Sequence, residues 1–372
     1  MRALHHGIPV LIMLPPSGAS RAEQWVAQGR TVAALDLTSQ FAALGDVATI
    51  SLIAGEAEDR AALQALGATL VQEAETPFHF GRTLVRFLVK TGITRLAYFG
   101  GASAPLVGLD ALGEVFREVL GSEEPTAVVN NLYSTDWAVL NHAQRLVPSA
   151  ERFPTDNPLG WVMENELGFR VRALEPSAAS RADIDTPSDL LLLIRHHGLG
   201  PHLAQFLSSA PDEAARRVER LRQVLRTPAK TLTLIGRSSA HVWAVLERRT
   251  QVWTRFFVEE RGMLASGRMD RGEVRTLIGE LVELWGAEEF VSRLSAMSDA
   301  ALWDTRVWMA HRGTWPSPAD RFAADLGLVD DVQDAALRTL TRAIRGATIP
   351  ILAGGHGVVS GGLLALLAAL PD

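Results

Sequence analysis

The sequence predicts an α/β protein with a mostly parallel sheet and helices on both faces, followed by a mainly helical C-terminal domain. In the first 200 residues, short apolar runs alternate with helical segments, and strands separated by helices form parallel sheets that helices cover. After residue 231 the sequence is largely helical and carries six of the nine tryptophans. The length of 372 residues favours two domains over a single core. We expect an α/β domain over residues 1–200, a helical linker over 201–230 and a mainly helical domain over 231–372.

The elements of the first half follow from local patterns. The run from Ile8 to Leu14 is apolar throughout, as in a strand buried on both faces. A Pro-Pro-Ser-Gly loop follows, and Ser20 with Glu23 forms a capping box that begins the first helix. Further strands are expected at residues 47–54, 69–72, 95–99, 127–130 and 170–174, and further helices at residues 56–66, 81–90, 109–120 and from Pro187 onward.

The segment DIDTPSDL, which begins at Asp183, is the most informative stretch of this half. In an extended strand Asp183 and Asp185 point to the same side, because side chains alternate with period two. Thr186 is expected as the helix N-cap, Pro187 as the first helical residue and Asp189 as the capping-box acid. Two carboxylates held at a strand end suit a divalent cation that carries a phosphate. The alternative is a well-capped helix whose acids are only solvated.

Composition excludes several classes of function. Hydrophobic residues make up 47% of the chain and charged residues 21%, which is typical of a globular protein. The formal net charge of −6 gives no basic excess, so we expect no nucleic acid partner. The chain has no cysteine, which excludes disulfides, thiolate metal sites and a thiol nucleophile within it.

Two apolar runs need to be distinguished from targeting or membrane segments. The run from Gly7 to Leu14 is too short for the core of a signal peptide. The run from Ala347 to Leu370 is long enough to span a bilayer, but it contains a proline, a histidine and five glycines. It therefore predicts a strand, a glycine turn and a buried helix, and we expect no membrane partner and a cytoplasmic location.

Three motifs are expected at the same edge of the predicted sheet. Ligands of parallel sheets gather outside the carboxyl ends of the strands. The loops at residues 15–20 and 100–104 follow strand ends, as does the acidic segment that begins at Asp183. The first loop also leads into a helix N-terminus, whose unpaired backbone amides attract phosphate. Taken singly, each of the two loops is equally well explained as a plain turn.

Together, these motifs resemble those of the nucleotidyltransferase branch of the GT-A-like fold, which is Rossmann-like. The molybdenum-cofactor and 2-phospholactate guanylyltransferases of this family typically have a first loop L-A-G-G-x-S-x-R-M-G, a middle G-G-D-x-P-L and a late D/N-I-D/N-T-P-E-D-L. The corresponding segments here are Leu14–Arg21, Gly100–Val107 and Asp183–Leu190, in the same order. The resemblance covers residues 1–200, and the C-terminal half resembles no family that we recognise.

The resemblance implies transfer of a nucleoside monophosphate from a nucleoside triphosphate to an anionic small molecule, with release of pyrophosphate. It implies that Arg21, Asp183 and Asp185 are catalytic and that the two aspartates hold Mg²⁺. The oligomeric state is left open between a monomer and a homo-oligomer. The nucleotide-binding residues that the resemblance implies are Ser17, Gly18, Ser20, Gly100, Gly101 and Ser103.

The departures from the family pattern fall on functional positions. The middle aspartate of the family is a principal metal ligand, and here Ala102 or Ser103 stands in its place. The lysine that the family has shortly after Arg21 has no counterpart, and Pro15 and Pro16 offer no N–H to a phosphate. The rival hypothesis is therefore a catalytically degenerate nucleotide-binding or scaffold domain, fused to a C-terminal domain that carries the activity or binds a partner.

A further set of candidate residues lies outside these motifs. The polar segment 130–137 either contacts a base or second substrate or forms a local Asx-turn network. Several arginines of the C-terminal half either converge to bind a phosphate or carboxylate or pair with acids on exposed helix faces. One histidine is flanked by glycines and is a candidate general base. These second-site candidates are Asn130, Asn131, Asp136, Arg261, Arg268, Arg306, Arg321 and His356.

Overall fold

A computed structural model describes residues 7–54, 57–73 and 77–371 of the chain. Its internal contacts divide the chain into two compact units, and each unit takes residues from three separate stretches of sequence. Unit 1 takes its described residues from Met1–Ser17, Ala27–Asp183 and Gly198–Leu203, and unit 2 takes its described residues from Gly18–Val26, Ile184–His197 and Ala204–Asp372.

Strands and helices alternate along most of the described chain. In order, the elements are β1 (Ile8–Leu14), α1 (Arg21–Ala43), β2 (Val47–Ala54), α2 (Ala57–Ala65), β3 (Thr69–Glu73), α3 (Phe80–Thr91), β4 (Leu96–Gly100), α4 (Leu109–Leu120), β5 (Thr126–Val129), β6 (Trp137–Leu140), α5 (Leu159–Asn165), β7 (Arg170–Ala173), α6 (Ala178–Arg181), α7 (Pro187–Leu193), α8 (Pro201–Leu207), α9 (Asp212–Arg226), β8 (Thr231–Gly236), α10 (Ala240–Arg249), β9 (Trp253–Val258), α11 (Leu277–Trp285), α12 (Ala287–Met297), β10 (Ala300–Asp304), α13 (Thr305–His311), α14 (Pro318–Leu326), α15 (Ala335–Arg345), β11 (Ile351–Gly354) and α16 (Gly361–Ala368).

The sheet of unit 1 has seven strands in the order β3-β2-β1-β4-β6-β5-β7. Strand β6 runs antiparallel to β4 and β5, whereas the other recorded pairings are parallel. From β1 the chain builds outward through β2 and β3 and then returns to place β4 on the other side of β1. The order therefore reverses between β1 and β4, and their carboxyl ends lie side by side.

The core of unit 1 covers both faces of this sheet. Val10, Ile12 and Leu14 pack in one cluster with residues of α1 and α4. Leu11 and Met13 pack in a second cluster with residues of α3 and α5. Since successive side chains of a strand point to opposite faces, the apolar run of β1 is buried on both sides. The prediction of an α/β fold with a mostly parallel, covered sheet is confirmed.

Some local predictions for unit 1 differ from the structure. Strand β6 was not predicted, and the polar segment after β5 is the connection that leads into it. The segment 182–185 is not a strand, because no neighbouring strand pairs with it in the described sheets. The helix that we expected at residues 56–66 is α2, and its expected first residue, Glu56, lies outside the described residues.

Unit 2 contains a second sheet, of four parallel strands in the order β11-β10-β8-β9. The prediction of a mainly helical C-terminal part omitted this sheet. The helix expected as a linker, α9, packs within unit 2 and buries Val218, Leu221 and Leu225. The predicted strand, turn and buried helix near the end of the chain are confirmed as β11, a glycine turn and α16. No helix within the described ranges is long and apolar enough to cross a membrane.

Candidate functional site

The ends of β1 and β4 meet closely at the carboxyl edge of the unit 1 sheet. Met13 pairs with Gly100, and the backbone N–H of Gly101 donates to the carbonyl of Met13 at 2.8 Å. A Cβ atom on Gly101 would overlap the side chain of Leu14. The glycine is therefore required by the close approach of two strand ends, and the first and middle motifs are neighbours here.

The turn after β4 carries no acidic ligand. Ala102 and Ser103 are both buried, at 8% and 3% exposure. The backbone N–H and the hydroxyl of Ser103 both donate to the carbonyl of Gly100, at 2.9 and 2.7 Å. Ala102 and Ser103 thus help to close a tight turn.

Three carboxylates lie around one buried phenol beside this turn. The hydroxyl of Tyr98 donates to Oδ2 of Asp156 at 2.7 Å. Burial raises the pKa of Tyr98 well above its usual value, and the negative charges of Asp156, Asp136 and Asp183 raise it further. The carboxylates therefore act on the same phenol from three separate stretches of the chain. Tyr98 and Asp156 were not among the predicted candidates; the available signal was a tyrosine within an otherwise apolar strand.

The connection from β5 to β6 is held by its own side chains. The amide of Asn130 donates to Oδ2 of Asp136 at 2.6 Å and accepts from the backbone N–H of Asp136 at 2.9 Å. Oδ1 of Asn131 accepts from the backbone N–H of Tyr133 at 3.3 Å. Arg181 donates to the carbonyl of Asn130. These bonds are those of the local turn network that we considered as the alternative to a substrate-binding loop.

The first loop is divided between the two units. Ser17 belongs to unit 1, whereas Gly18, Ser20 and Arg21 belong to unit 2. The predicted capping box is confirmed, because Glu23 accepts from the N–H of Ser20 at 3.0 Å and donates its own N–H to Oγ of Ser20 at 3.2 Å. A Cβ atom on Gly18 would overlap the Glu23 carboxylate. The carboxylate of Glu23 therefore lies at the N-terminus of α1, where a phosphate was expected.

The acidic segment is divided in the same way. Asp183 is half-buried in unit 1 and Asp185 is exposed in unit 2. The predicted capping box after them is confirmed, because Oδ2 of Asp189 accepts from the N–H of Thr186 at 2.8 Å. Among the described residues, no group of three or more acidic or histidine side chains is arranged to hold a metal ion. The two aspartates alone do not fit a closed metal site, and Mg²⁺ on them stays a prediction.

The glycines near the C-terminus make room for the start of α7 within unit 2. A Cβ atom on Gly354 would overlap the side chain of Ser188, and one on Gly357 would overlap the carboxylate of Asp189. A Cβ atom on Gly355 would lie 2.9 Å from Cγ2 of Thr186. The sequence GGHG is thus explained in part by a close approach between two segments that are far apart in the chain.

Replacing Gly354 with alanine should destabilise unit 2 by about 1–3 kcal/mol, because the new methyl group must displace Ser188 or the backbone. The matched control is Gly346→Ala, at a helix end with right-handed backbone, where the nearest atom is 3.4 Å away. Denaturant unfolding of both variants measures the difference. Equal stability of the two variants would show that α7 moves aside without cost.

The arginines proposed as a converging set have separate partners. Arg306 is buried and donates to both carboxylate oxygens of Asp325, at 2.8 and 2.6 Å. Arg268 pairs with Glu260 at 2.7 Å. Arg321 donates to the carbonyl of Pro316. Arg261, which is exposed, has no ion-pair partner among the described residues.

The comparisons with known proteins define no family. No family model matches the chain, and no curated protein matches it. Six chains of solved structures match. One is a cytidylyltransferase from Leptospira borgpetersenii, which is 14% identical, covers 50% of this chain and 84% of its own, and has a TM-score of 0.34. The sheet topology itself defines the class of protein, an α/β protein with a Rossmann-like first unit.

Proposed function

We propose that unit 1 binds a nucleoside triphosphate at the carboxyl edge of its sheet and that the protein is a nucleotidyltransferase. The observation that carries this proposal is the adjacency of β1 and β4, where the strand order reverses. Ligands of open α/β sheets bind at such a reversal. The loops that follow these two strands carry two of the three motifs that resemble the nucleotidyltransferases.

The reaction would form a bond between an anionic oxygen of the acceptor and the α-phosphorus of the nucleotide. The bond from the α-phosphorus to the bridging oxygen would break, and pyrophosphate would leave with that oxygen. The part of the protein is then mainly positioning and charge neutralisation. Gly100 and Gly101 themselves place no side chain at the sheet edge, Ser17 lies in the loop after the neighbouring strand, and Asp183 is the candidate metal ligand of this unit. Gly18, Ser20, Arg21 and Asp185 remain candidates.

A second candidate is a nucleotide-binding domain that has lost catalysis. It is favoured by the turn after β4, where buried Ala102 and the internally bonded Ser103 replace a metal-binding aspartate. In that case the nucleotide binds without needing Mg²⁺. The two candidates therefore differ in how binding depends on the metal.

The test is calorimetric titration of the full chain with each nucleoside triphosphate, with and without Mg²⁺. If the protein is a nucleotidyltransferase, we expect the nucleotide to bind only when Mg²⁺ is present. Asp183→Asn should then weaken nucleotide binding by about tenfold or more. The matched control is Asp46→Asn, the same substitution at the opposite, amino edge of the sheet.

Three other results of this titration would contradict the proposal. Binding that does not depend on Mg²⁺ favours the degenerate domain. Unchanged binding in Asp183→Asn removes that residue from the site. No response to any nucleotide rejects both candidates.

A further inference from the structure

The sheet of unit 2 has its own reversal of strand order. From β8 the chain adds β9 on one side and then places β10 on the other side of β8. Gly236, the last residue of β8, has a φ of +124°, and a Cβ atom there would lie 2.5 Å from Cβ of Asp304, the last residue of β10. The two strand ends therefore converge, and a ligand of this sheet would be expected outside them.

Polar groups from three loops gather at this edge. Arg237 follows β8 and donates to Asp304 at 2.6 and 3.2 Å. The ring nitrogen Nε2 of His356, after β11, lies 2.9 Å from the carbonyl of Arg237. The segment after β9 is tied to the same place, because the N–H of Glu259 donates to the carbonyl of Gly236 at 3.2 Å. Four consecutive strand ends thus contribute to one cluster.

The charged groups of this cluster are Arg237, Asp304, Glu259 and Arg261, and Oε1 of Glu259 accepts from the backbone N–H of Leu277 at 2.8 Å. Asp304 is fully buried and is neutralised by Arg237. Arg261, two residues beyond Glu259, is exposed and has no ion-pair partner in the part of the chain that the structure describes. Although His356 is partly exposed, surrounding protein desolvates its ring and lowers its pKa, and the charges of Arg237 and Arg261 lower it further. Arg261 therefore acts on His356 as a neighbouring positive charge.

The first turn of α10 begins at the same edge. Ser239 caps this helix by accepting from the N–H of Val242 at 3.3 Å. The backbone N–H groups of Ala240 and His241 have no acceptor within the helix, as in the first turn of any helix. Nε2 of His241 is buried and has no hydrogen-bond partner in the structure as described. This turn adds unsatisfied donors and the positive end of a helix dipole to the cluster.

We propose that unit 2 carries a second ligand site, which binds the phosphate group of a small molecule outside the ends of β8 and β10. Arg261, in the loop after β9, supplies the exposed charge, His356 lies against the carbonyl of Arg237 at the same edge, and the first turn of α10 supplies backbone donors. Arg237 positions the edge through its bond to Asp304. The site goes beyond the proposed nucleotide site, lies wholly within unit 2 and does not depend on unit 1.

The probe is inorganic phosphate, titrated into the full chain while the ring signals of the histidines are followed by NMR. Phosphate should raise the pKa of His356, because a bound anion favours the protonated ring. Arg261→Ala should weaken phosphate binding by about tenfold, since it removes the free guanidinium. The matched control is Arg248→Ala, an exposed arginine at the other end of α10, which should bind phosphate as the unchanged chain does.

Several outcomes would overturn this proposal. Full binding in Arg261→Ala, or an equal loss in Arg248→Ala, would mean only general attraction to surface charge. A His356 signal that does not respond to phosphate would place the anion elsewhere. The variant His356→Gln keeps a polar side chain and should lose less affinity than Arg261→Ala. The His356 signal and the Arg261 variant both report on unit 2 alone, so failure of the unit 1 proposal would not affect this one.

Discussion

Replacing Arg306 with alanine is expected to lower the free energy of unfolding by about 3–5 kcal/mol. Arg306 and Asp325 are almost fully buried, and the guanidinium donates to both carboxylate oxygens at 2.8 and 2.6 Å. Asp304 and Asp189 also act on this guanidinium electrostatically. Without it, several carboxylates would remain in an apolar environment with less positive charge, which is costly because burial penalises an uncompensated charge.

The control for this prediction is an exposed pair in the same unit that is also joined by two hydrogen bonds. Arg271 donates to both carboxylate oxygens of Glu273, at 3.0 and 2.8 Å, and both side chains are exposed. Arg271→Ala should change the free energy of unfolding far less than Arg306→Ala does, since solvent screens exposed pairs. Denaturant unfolding measures both variants, and similar losses would contradict the prediction. The double variant Arg306→Met with Asp325→Leu should recover much of the stability, because it removes both charges.

Arg306 also shows what the sequence could not provide. In the sequence, Arg306 lies near an acid, in a segment that interrupts the helical periodicity. This pattern predicted a loop that binds anions. Its partner, Asp325, lies on a different helix, α14. Which acid meets a given arginine depends on how helices pack, and no local pattern carries that information.

Features defined within a few residues were predictable. The capping boxes at Ser20 and Thr186 formed as expected, because both hydrogen bonds of each box join residues three apart. The buried strand β1 was predictable because its apolar run leaves few alternatives. With these strands and caps, the α/β class of unit 1 followed.

Features that need a distant partner were not predictable. In the segment 182–185, burial alternates as in a strand, with Ala182 and Ile184 buried. A strand also needs a neighbouring strand to bond with, and here there is none in the described sheets. Conversely, β10 is a strand although two alanines and an aspartate, which are depleted in strands, make up three of its five residues; it lies between two parallel neighbours, β8 and β11.

The role of the glycines at residues 354–357 in unit 2 was also not predictable, because it depends on a distant segment. From the sequence, they indicated a turn that exposes His356. Their places are set largely by Thr186, Ser188 and Asp189, which approach from the start of α7. A motif that resembles a nucleotidyltransferase signature thus has a packing role inside unit 2, and only the structure could show that role.

Asp189 is expected to make the stability of the protein depend on pH near neutrality. Its side chain is 4% exposed, and burial raises its pKa from 3.8 to about 7, with a further contribution from Asp185. Asp325 adds to the increase, and the N–H and hydroxyl of Thr186, which donate to the carboxylate, oppose it. The positive charge of Arg306 also interacts with Asp189 electrostatically.

The sign follows from which state holds the proton. Between the ordinary pKa of 3.8 and about 7, folded Asp189 is protonated and unfolded Asp189 is not. The folded state then binds more protons, so its stability falls as pH rises, by at most about 1.4 kcal/mol per pH unit. Below this range the contribution is fully present, and above about pH 7 it is lost.

Asp189→Asn removes this titration while keeping an oxygen that can accept from Thr186. Denaturant unfolding at pH 5, 6, 7 and 8 should therefore show the variant gaining stability relative to the unchanged chain as pH rises. The gain should level off above about pH 7, because the carboxylate of the unchanged chain is then already ionised. Parallel profiles would mean that Asp189 is ionised throughout, and that the two donors of Thr186 outweigh burial and the neighbouring acids.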